Sequence, residues 1–310
     1  MNASTTYQLQ SNDTDVARRL RAWLDGSELH WPGQFTLDIT VAEGHDLPAD
    51  EREAYWQPSV RIQSGSPHDH VRVEWEEHPA IAIVHATEPR ATLWLSPAAA
   101  ANVEDGDRGF LLVVLLFLLR RLGWYHVHAA ALTDPRGRGW LIAGNSNCGK
   151  STTTALLATR GWAVGTDDIG FVTQDAAEAE SRIAVMSFRS YIALRPGGYA
   201  LLGAPGGAPL ERRNKRGFSV EELGGVWTAR VVPSIIAFPR IGERTSMERA
   251  TPRAALAEIV KWSSWVLYEN LRSQENLDVL GKLAAQSQCY HLTLGPDLFE
   301  NPDLLENLIP

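Results

Sequence analysis

At 310 residues, 44% hydrophobic and 21% charged, the chain fits one large or two ordinary globular domains with a sizeable core, and it excludes a disordered protein. A net charge of −8 excludes a nucleic-acid surface spread over the whole protein and leaves room only for local basic patches, so no nucleic-acid partner is expected. Two cysteines, Cys148 and Cys289, cannot build a disulfide framework, and a reducing, cytoplasmic compartment is expected.

Residues 1–15 are polar and lack a signal-peptide core. Apolar residues at Val16, Leu20, Trp23 and Leu24 predict a helix ending near Gly26. Residues 35–41 and 71–75 alternate, and 80–84 and 91–95 are further short apolar runs, with proline, glycine and aspartate between them. This is an α+β region built on antiparallel strands. Its histidines, His68, His70, His78 and His85, share no repeated ligand spacing and read as loop histidines rather than a metal site. The most apolar run, 110–119, is ten residues long, whereas a membrane-spanning helix needs about twenty. A core helix over 110–122 and no membrane partner are therefore expected.

After Gly123, residues 125–132 read as a strand, 134–139 as a hairpin turn and 139–143 as a buried strand. Helical spacing over 153–160 stops at Gly161. The stretch 161–172 holds a strand that finishes in Asp167-Asp168, and 183–187 and 191–194 are further strands. Residues 197–217, rich in glycine, proline and charge, predict a mobile loop. Residues 231–238 read as a central strand despite Pro233. Pro252 opens a helix running through Trp262, Trp265 and Leu267; another covers 276–285, and 290–294 is a last strand. The eleven tryptophans fall mostly at helix or strand periodicity and read as core. The division expected is an α+β region at 1–122 and an α/β domain at 123–310. Without a linker at 122, one sheet shared by both is an open arrangement.

The chemistry concentrates at Gly144-Asn145-Ser146-Asn147-Cys148-Gly149-Lys150-Ser151, followed by Thr152. The segment matches the phosphate-binding loop G-x-x-x-x-G-K-[ST] at every fixed position, between a predicted strand and a predicted helix. Glycines let successive N–H groups turn inward, and the helix N-terminus adds partial positive charge, so a triphosphate such as ATP can be held. Lys150 would reach the β/γ-phosphates and the Ser151 hydroxyl would ligate Mg²⁺. Asp167 and Asp168 stand about seventeen residues after Lys150, directly after a strand. A phosphotransferase needs one carboxylate for the metal and another to take the acceptor's proton, and adjacent side chains on a strand point different ways.

His128-Ala-Ala, the loop, and Arg160-Gly161 followed by Asp167-Asp168 together resemble the core of the bacterial HPr kinase/phosphorylase family, whose compact layout phosphoenolpyruvate carboxykinase shares. The match is close over 127–172 and coarser through Phe238-Pro239-Arg240 to the end. Overall length and the N-terminal region are more similar to the HPr-kinase-related kinases found beside peptide and natural-product clusters. The resemblance implies a P-loop kinase of α/β fold that uses ATP and Mg²⁺ on a hydroxyl, commonly serine. It implies that His128 positions or charge-balances the phosphates, that Asp167 is the general base, and that Asp168 joins Ser151 in the metal shell.

The chain departs from the family where Thr152 replaces a glutamate, and no glycine-rich phosphorolysis signature follows Val172. An HPr-binding C-terminal signature is likewise not recognisable, and these departures together count against phosphorolysis and against HPr as the acceptor. His126 shares a strand face with His128 and is its alternative. Arg240, after a strand, is the better placed of the phosphate-contacting arginines and Arg195 the weaker. Arg212, Arg213, Lys215 and Arg216 form either a phosphate or acidic-peptide clamp or a solvated face. Cys148 reads as a small residue that fits, or as a redox-sensitive thiol.

The function expected is an ATP- and Mg²⁺-dependent kinase whose partner is a peptide or protein hydroxyl. Alternatives are a small-molecule kinase and a catalytically degenerate nucleotide-binding regulator. Oligomeric state, a homo-oligomer included, is left open by the sequence.

Overall fold

The computed structural model describes residues 7–26, 31, 33–43, 54–57, 60–63, 70–75, 78–103, 110–174, 182–188, 191–203, 206–210, 214–263 and 269–308. They form a mixed α/β protein of two compact units: Met1–Tyr125 with Ser264–Asn276, and His126–Ser263 with Leu277–Pro310. Among the described residues no helix is long and apolar enough to cross a membrane.

The first unit contains β1 (Tyr7–Ser11), α1 (Thr14–Asp25), β2 (Phe35–Val41), β3 (Ala54–Gln57), β4 (Val60–Gln63), β5 (His70–Trp75), β6 (Ala80–His85), β7 (Arg90–Leu95), α2 (Pro97–Ala101) and α3 (Phe110–Arg120). Helix α1 begins where the Asp13 carboxylate accepts from the Asp15 and Val16 amides, satisfying two donors that the first turn leaves unpaired. The strands form one sheet in the order β1-β2-β7-β6-β5-β4-β3. The antiparallel expectation holds from β7 to β3, but β1, β2 and β7 run parallel. Alternation along β2 buries Phe35, Leu37 and Ile39 on one face.

Every residue of α3 is buried, Arg120 included. Arg120 Nε stands 3.2 Å and Arg121 Nη1 2.5 Å from the Glu269 carboxylate, and Arg121 Nε donates to the His85 carbonyl. A buried ion cluster of this kind is strongly destabilising if one partner is removed, because the rest is left uncompensated. It accounts for a difference from the sequence division. Residues 264–276, expected in the C-terminal domain, cluster with the first unit, in which the two arginines lie.

The second unit contains β8 (Tyr125–Thr133), β9 (Gly139–Ala143), α4 (Lys150–Ala158), β10 (Ala163–Thr166), β11 (Ile169–Gln174), β12 (Ile183–Ser187), β13 (Tyr191–Leu194), α5 (Pro196–Leu201), β14 (Ala208–Leu210), β15 (Lys215–Ser219), β16 (Val226–Trp227), β17 (Arg230–Val231), β18 (Pro233–Ile241), β19 (Ser246–Ala250), α6 (Pro252–Trp262), α7 (Ser273–Gln286, which crosses the division), β20 (Gln288–Leu294), α8 (Asp297–Glu300) and α9 (Leu304–Leu308). Its large sheet runs β17-β12-β11-β8-β9-β18-β20-β19, with β10 and β16 attached through β8. Each unit thus has a sheet of its own, not a shared one.

At the centre of the large sheet β9, β18 and β20 are mutually parallel, and β8 is antiparallel to β9. Their α4-facing side carries Ile142, Ile235, Ala237, Leu292 and Leu294, which form one core with Leu156, Leu157 and the Trp140 and Trp162 rings, tilted against each other at 5.2 Å. The hairpin joining β8 and β9 is organised by Asp134, which accepts from the Arg138 amide and guanidinium and from the Trp140 indole. Gly139 is required by close approach: a Cβ there would lie 2.0 Å from the Val232 carbonyl oxygen.

Three expectations are corrected. The 197–217 stretch is no single loop: it supplies part of α5, all of β14 and the start of β15, and β13-β15-β14 form a third sheet. Residues 231–238 divide between β17 and β18, because Pro233 begins its strand and Val232 interrupts the pairing. Helix α6 stops at Trp262, with Ser263 as its cap. Trp265, Leu267, His68, Arg212 and Arg213 lie outside the described residues.

Candidate active site

The 144–151 loop leaves the carboxyl end of β9 and enters α4 at Lys150. Gly149 makes the turn possible at φ +97°, a left-handed conformation that side chains disfavour, and a Cβ there would meet Leu294 at 3.0 Å. Gly144 abuts Pro239 of β18 in the same way. The loop therefore lies across the carboxyl ends of three parallel strands, where open α/β sheets form their ligand crevice.

Lys150 is only 6% exposed. Its ammonium donates to the Gly144 carbonyl at 2.7 Å, the Asn145 carbonyl at 2.9 Å and His128 Nε2 at 3.1 Å, which uses its three hydrogens. Burial lowers the pKa of the ammonium; the charges of Cys148, Asp168 and Asp167 oppose that shift and Lys215 adds to it.

The two aspartates occupy the turn between β10 and β11, closed by the Thr166 hydroxyl donating to the Ile169 carbonyl. Their side chains meet different partners. Asp167, 5% exposed, accepts from the Ala193 amide of β13 at 3.2 Å, and that amide and the Ser151 hydroxyl both favour its charged form. Burial first, then the neighbouring Asp168 charge, pushes its pKa up to about 7. Asp168, 32% exposed, lies 2.7 Å from His128 Nδ1. Burial would raise its pKa too, but the His128 hydrogen bond and the charges of His128, Lys215 and Lys150 together hold it well below the usual carboxylate range. These partners assign the His128 tautomer: Nδ1–H donates to Asp168 and Nε2 accepts from Lys150. An Asp168–His128–Lys150 chain thus spans three elements, possible because β8 lies between β9 and β11.

The remaining sequence candidates divide. His128 contacts Lys150 and Asp168, whereas the His126 ring packs edge-on to Phe171. Arg240 is exposed and donates from Nε to Thr293 Oγ1 at 3.0 Å; the structure does not bring it into the Lys150–Asp168 chain. Asn145, Ser146 and Asn147 are exposed, and Cys148 Sγ is 4.0 Å from Lys150 Nζ. Thr152 directs its hydroxyl toward Gly198 of α5, where a Cβ would be 2.9 Å away. Arg195 is exposed at the start of α5, and Arg216 is held over the Tyr199 ring at 5.2 Å. Lys215, which the sequence offers only as one of a charge cluster, lies on β15, and its charge favours the ionised form of both aspartates; the strand pairing that fixes it there is not legible in the sequence. Among the described residues no three His, Cys, Asp or Glu side chains gather as a metal cage. Ser151 and the two carboxylates nonetheless form a hard-oxygen donor set, which suits Mg²⁺, an ion that keeps waters and substrate phosphates in its shell.

His126 carries a pH prediction. Burial, reinforced by His128, lowers its pKa to about 3, against about 6.5 in an unfolded chain. Below pH 6.5 the unfolded state takes up a proton that the folded state refuses, so stability is intact above 6.5 and falls steadily as pH drops toward 3. One such proton has a slope of about 1.4 kcal/mol per pH unit. Urea unfolding between pH 7 and 4 is expected to show a shallower acid loss in His126→Gln than in the wild type. Identical slopes would remove His126 from the acid response.

No protein-family model and no curated protein sequence matches the chain. Among solved structures the chain is similar to the Hpr(Ser) kinase/phosphatase from Coxiella burnetii, with 13% identity and a TM-score of 0.34 over 59% of this chain and 87% of that one.

Proposed function

We propose that the second unit binds ATP with Mg²⁺ at the 144–151 loop and transfers the γ-phosphoryl group to a hydroxyl, a serine of a peptide or protein first among acceptors. The observation that carries the proposal is the Asp168–His128–Lys150 chain. It sets the loop lysine and a carboxylate pair on one site at the carboxyl ends of parallel strands. On this reading the loop amides and the N-terminus of α4 take the phosphates. Lys150 exchanges its two carbonyl acceptors for β/γ-oxygens. His128 holds Lys150 and Asp168 at fixed separation, and Asp168 with Ser151 faces the metal. Mg²⁺, when bound, neutralises charge developing between the β- and γ-phosphates.

Asp167 takes the proton of the attacking hydroxyl as the new O–P bond forms and the bond to the β-phosphate breaks. ADP leaves, and the proton passes on to solvent. Thr152, turned toward α5, adds no carboxylate to the metal region, which supports a forward kinase over phosphorolysis. The full chain should be titrated with MgATP by calorimetry and then incubated with labelled ATP and the peptide products of neighbouring genes. Binding with label on a serine is the expected result. Absence of binding at millimolar MgATP would overturn the reading.

A further inference from the structure

We propose that Lys215 is a second catalytic lysine of this site, contacting the phosphoryl group in transit alongside Lys150; this rests on the phosphoryl-transfer reading above. The placement comes from strand register. In the β13-β15-β14 sheet Ala193 pairs with Gly217, Leu194 with Arg216, and Leu210 with Lys215. Strand β13 is an edge of that sheet, and its Ala193 amide is spent on the Asp167 carboxylate. The small sheet is thereby fastened to the carboxylate pair along one edge.

Alternation along β15 puts Lys215 and Gly217 on one face and Arg216 and Phe218 on the other. Phe218 lies in the core, and Arg216 is committed to the Tyr199 ring and to the Gly206 carbonyl at 2.9 Å. Lys215 is free of those commitments, and its charge acts on Asp167, Asp168 and Lys150 together. Among the described residues no salt bridge joins Lys215 to a carboxylate, although its charge favours the ionised form of both aspartates.

That arrangement suits a moving anion better than it suits charge neutralisation of the two acids. A cation present only to neutralise the aspartates would pair with one of them, as His128 does with Asp168. A phosphoryl group between donor and acceptor spreads its charge over three equatorial oxygens, and a loop lysine reaches them from the donor side only. A second ammonium on a flexible four-carbon stem meets that need, and its contribution is largest for charge that develops in transfer.

The test compares a ground state with a transition-state mimic, and it needs no knowledge of the acceptor. Wild type, Lys215→Met, Lys215→Gln and Lys215→Arg are titrated as full chains with MgADP alone and with MgADP plus aluminium fluoride. MgADP affinity is expected to stay within about twofold in every variant. Affinity for the aluminium fluoride complex is expected to fall about a hundredfold in Lys215→Met and Lys215→Gln, and to return largely in Lys215→Arg. Equal weakening of both ligands, or a lowered melting temperature with no differential effect, would make Lys215 structural and overturn the proposal. Wild-type binding of both ligands with Lys215→Met unchanged would overturn it too while leaving the kinase reading standing. Failure of the wild type to bind MgADP would overturn the kinase reading itself.

Discussion

Lys150→Ala is expected to lose MgATP binding or turnover by at least about two orders of magnitude, the size of a lost electrostatic contact in a partly dry site. The side chain is buried and its three hydrogens are placed on the Gly144 and Asn145 carbonyls and on His128, so it is already held at the mouth of the loop. Removing it subtracts the charge that would meet the β/γ-oxygens. It also leaves two carbonyls and an imidazole nitrogen without a donor, so the variant should melt lower as well. Lys150→Arg is expected to recover little, because a planar fork does not fit where a point charge bridges three close acceptors. Calorimetric MgATP titration and phosphate release measure both variants. Turnover near the wild-type value in Lys150→Ala would sink the kinase reading.

The paired aspartates should separate kinetically. Asp167→Asn keeps an oxygen for the Ala193 amide but removes the proton acceptor, so transfer should fall about 10²- to 10⁴-fold with MgATP affinity nearly unchanged. Asp168→Asn keeps the His128 contact geometrically but removes the negative charge that faces both the imidazole and the metal side. It should raise the Mg²⁺ concentration needed for half-maximal rate and loosen Lys150 through His128. Single-turnover rates across a magnesium titration distinguish the two variants. A shared defect confined to nucleotide binding would show that the roles are misassigned, and a pure metal defect in Asp167→Asn would show them exchanged. The exchange has a structural route, since the Ser151 hydroxyl favours the charged form of Asp167.

What the sequence determined by itself was local. The 35–41 alternation, the apolar run that became α3, the buried strand 139–143 and the glycine turn at 149 follow from residue period and glycine chemistry, which act over a few residues. The loop lysine and the aspartate pair were legible for the same reason: their spacing is fixed by one strand, one turn and one helix. Tertiary structure decided whatever depends on partners distant in sequence. It chose His128 over His126, because only β8 lying between β9 and β11 aims that ring at both Lys150 and Asp168. It left Arg240 on Thr293, since pairing with β20 sets which way that side chain turns. It gave the charged 197–217 stretch a helix end and strand pairings, because β13 offered an edge for β15 to pair with, and so fixed Lys215 on a strand from which its charge acts on both aspartates. It also drew Glu269 to Arg120 and Arg121, against the order of the chain, since a buried cation pair needs an anion from wherever the fold can supply one.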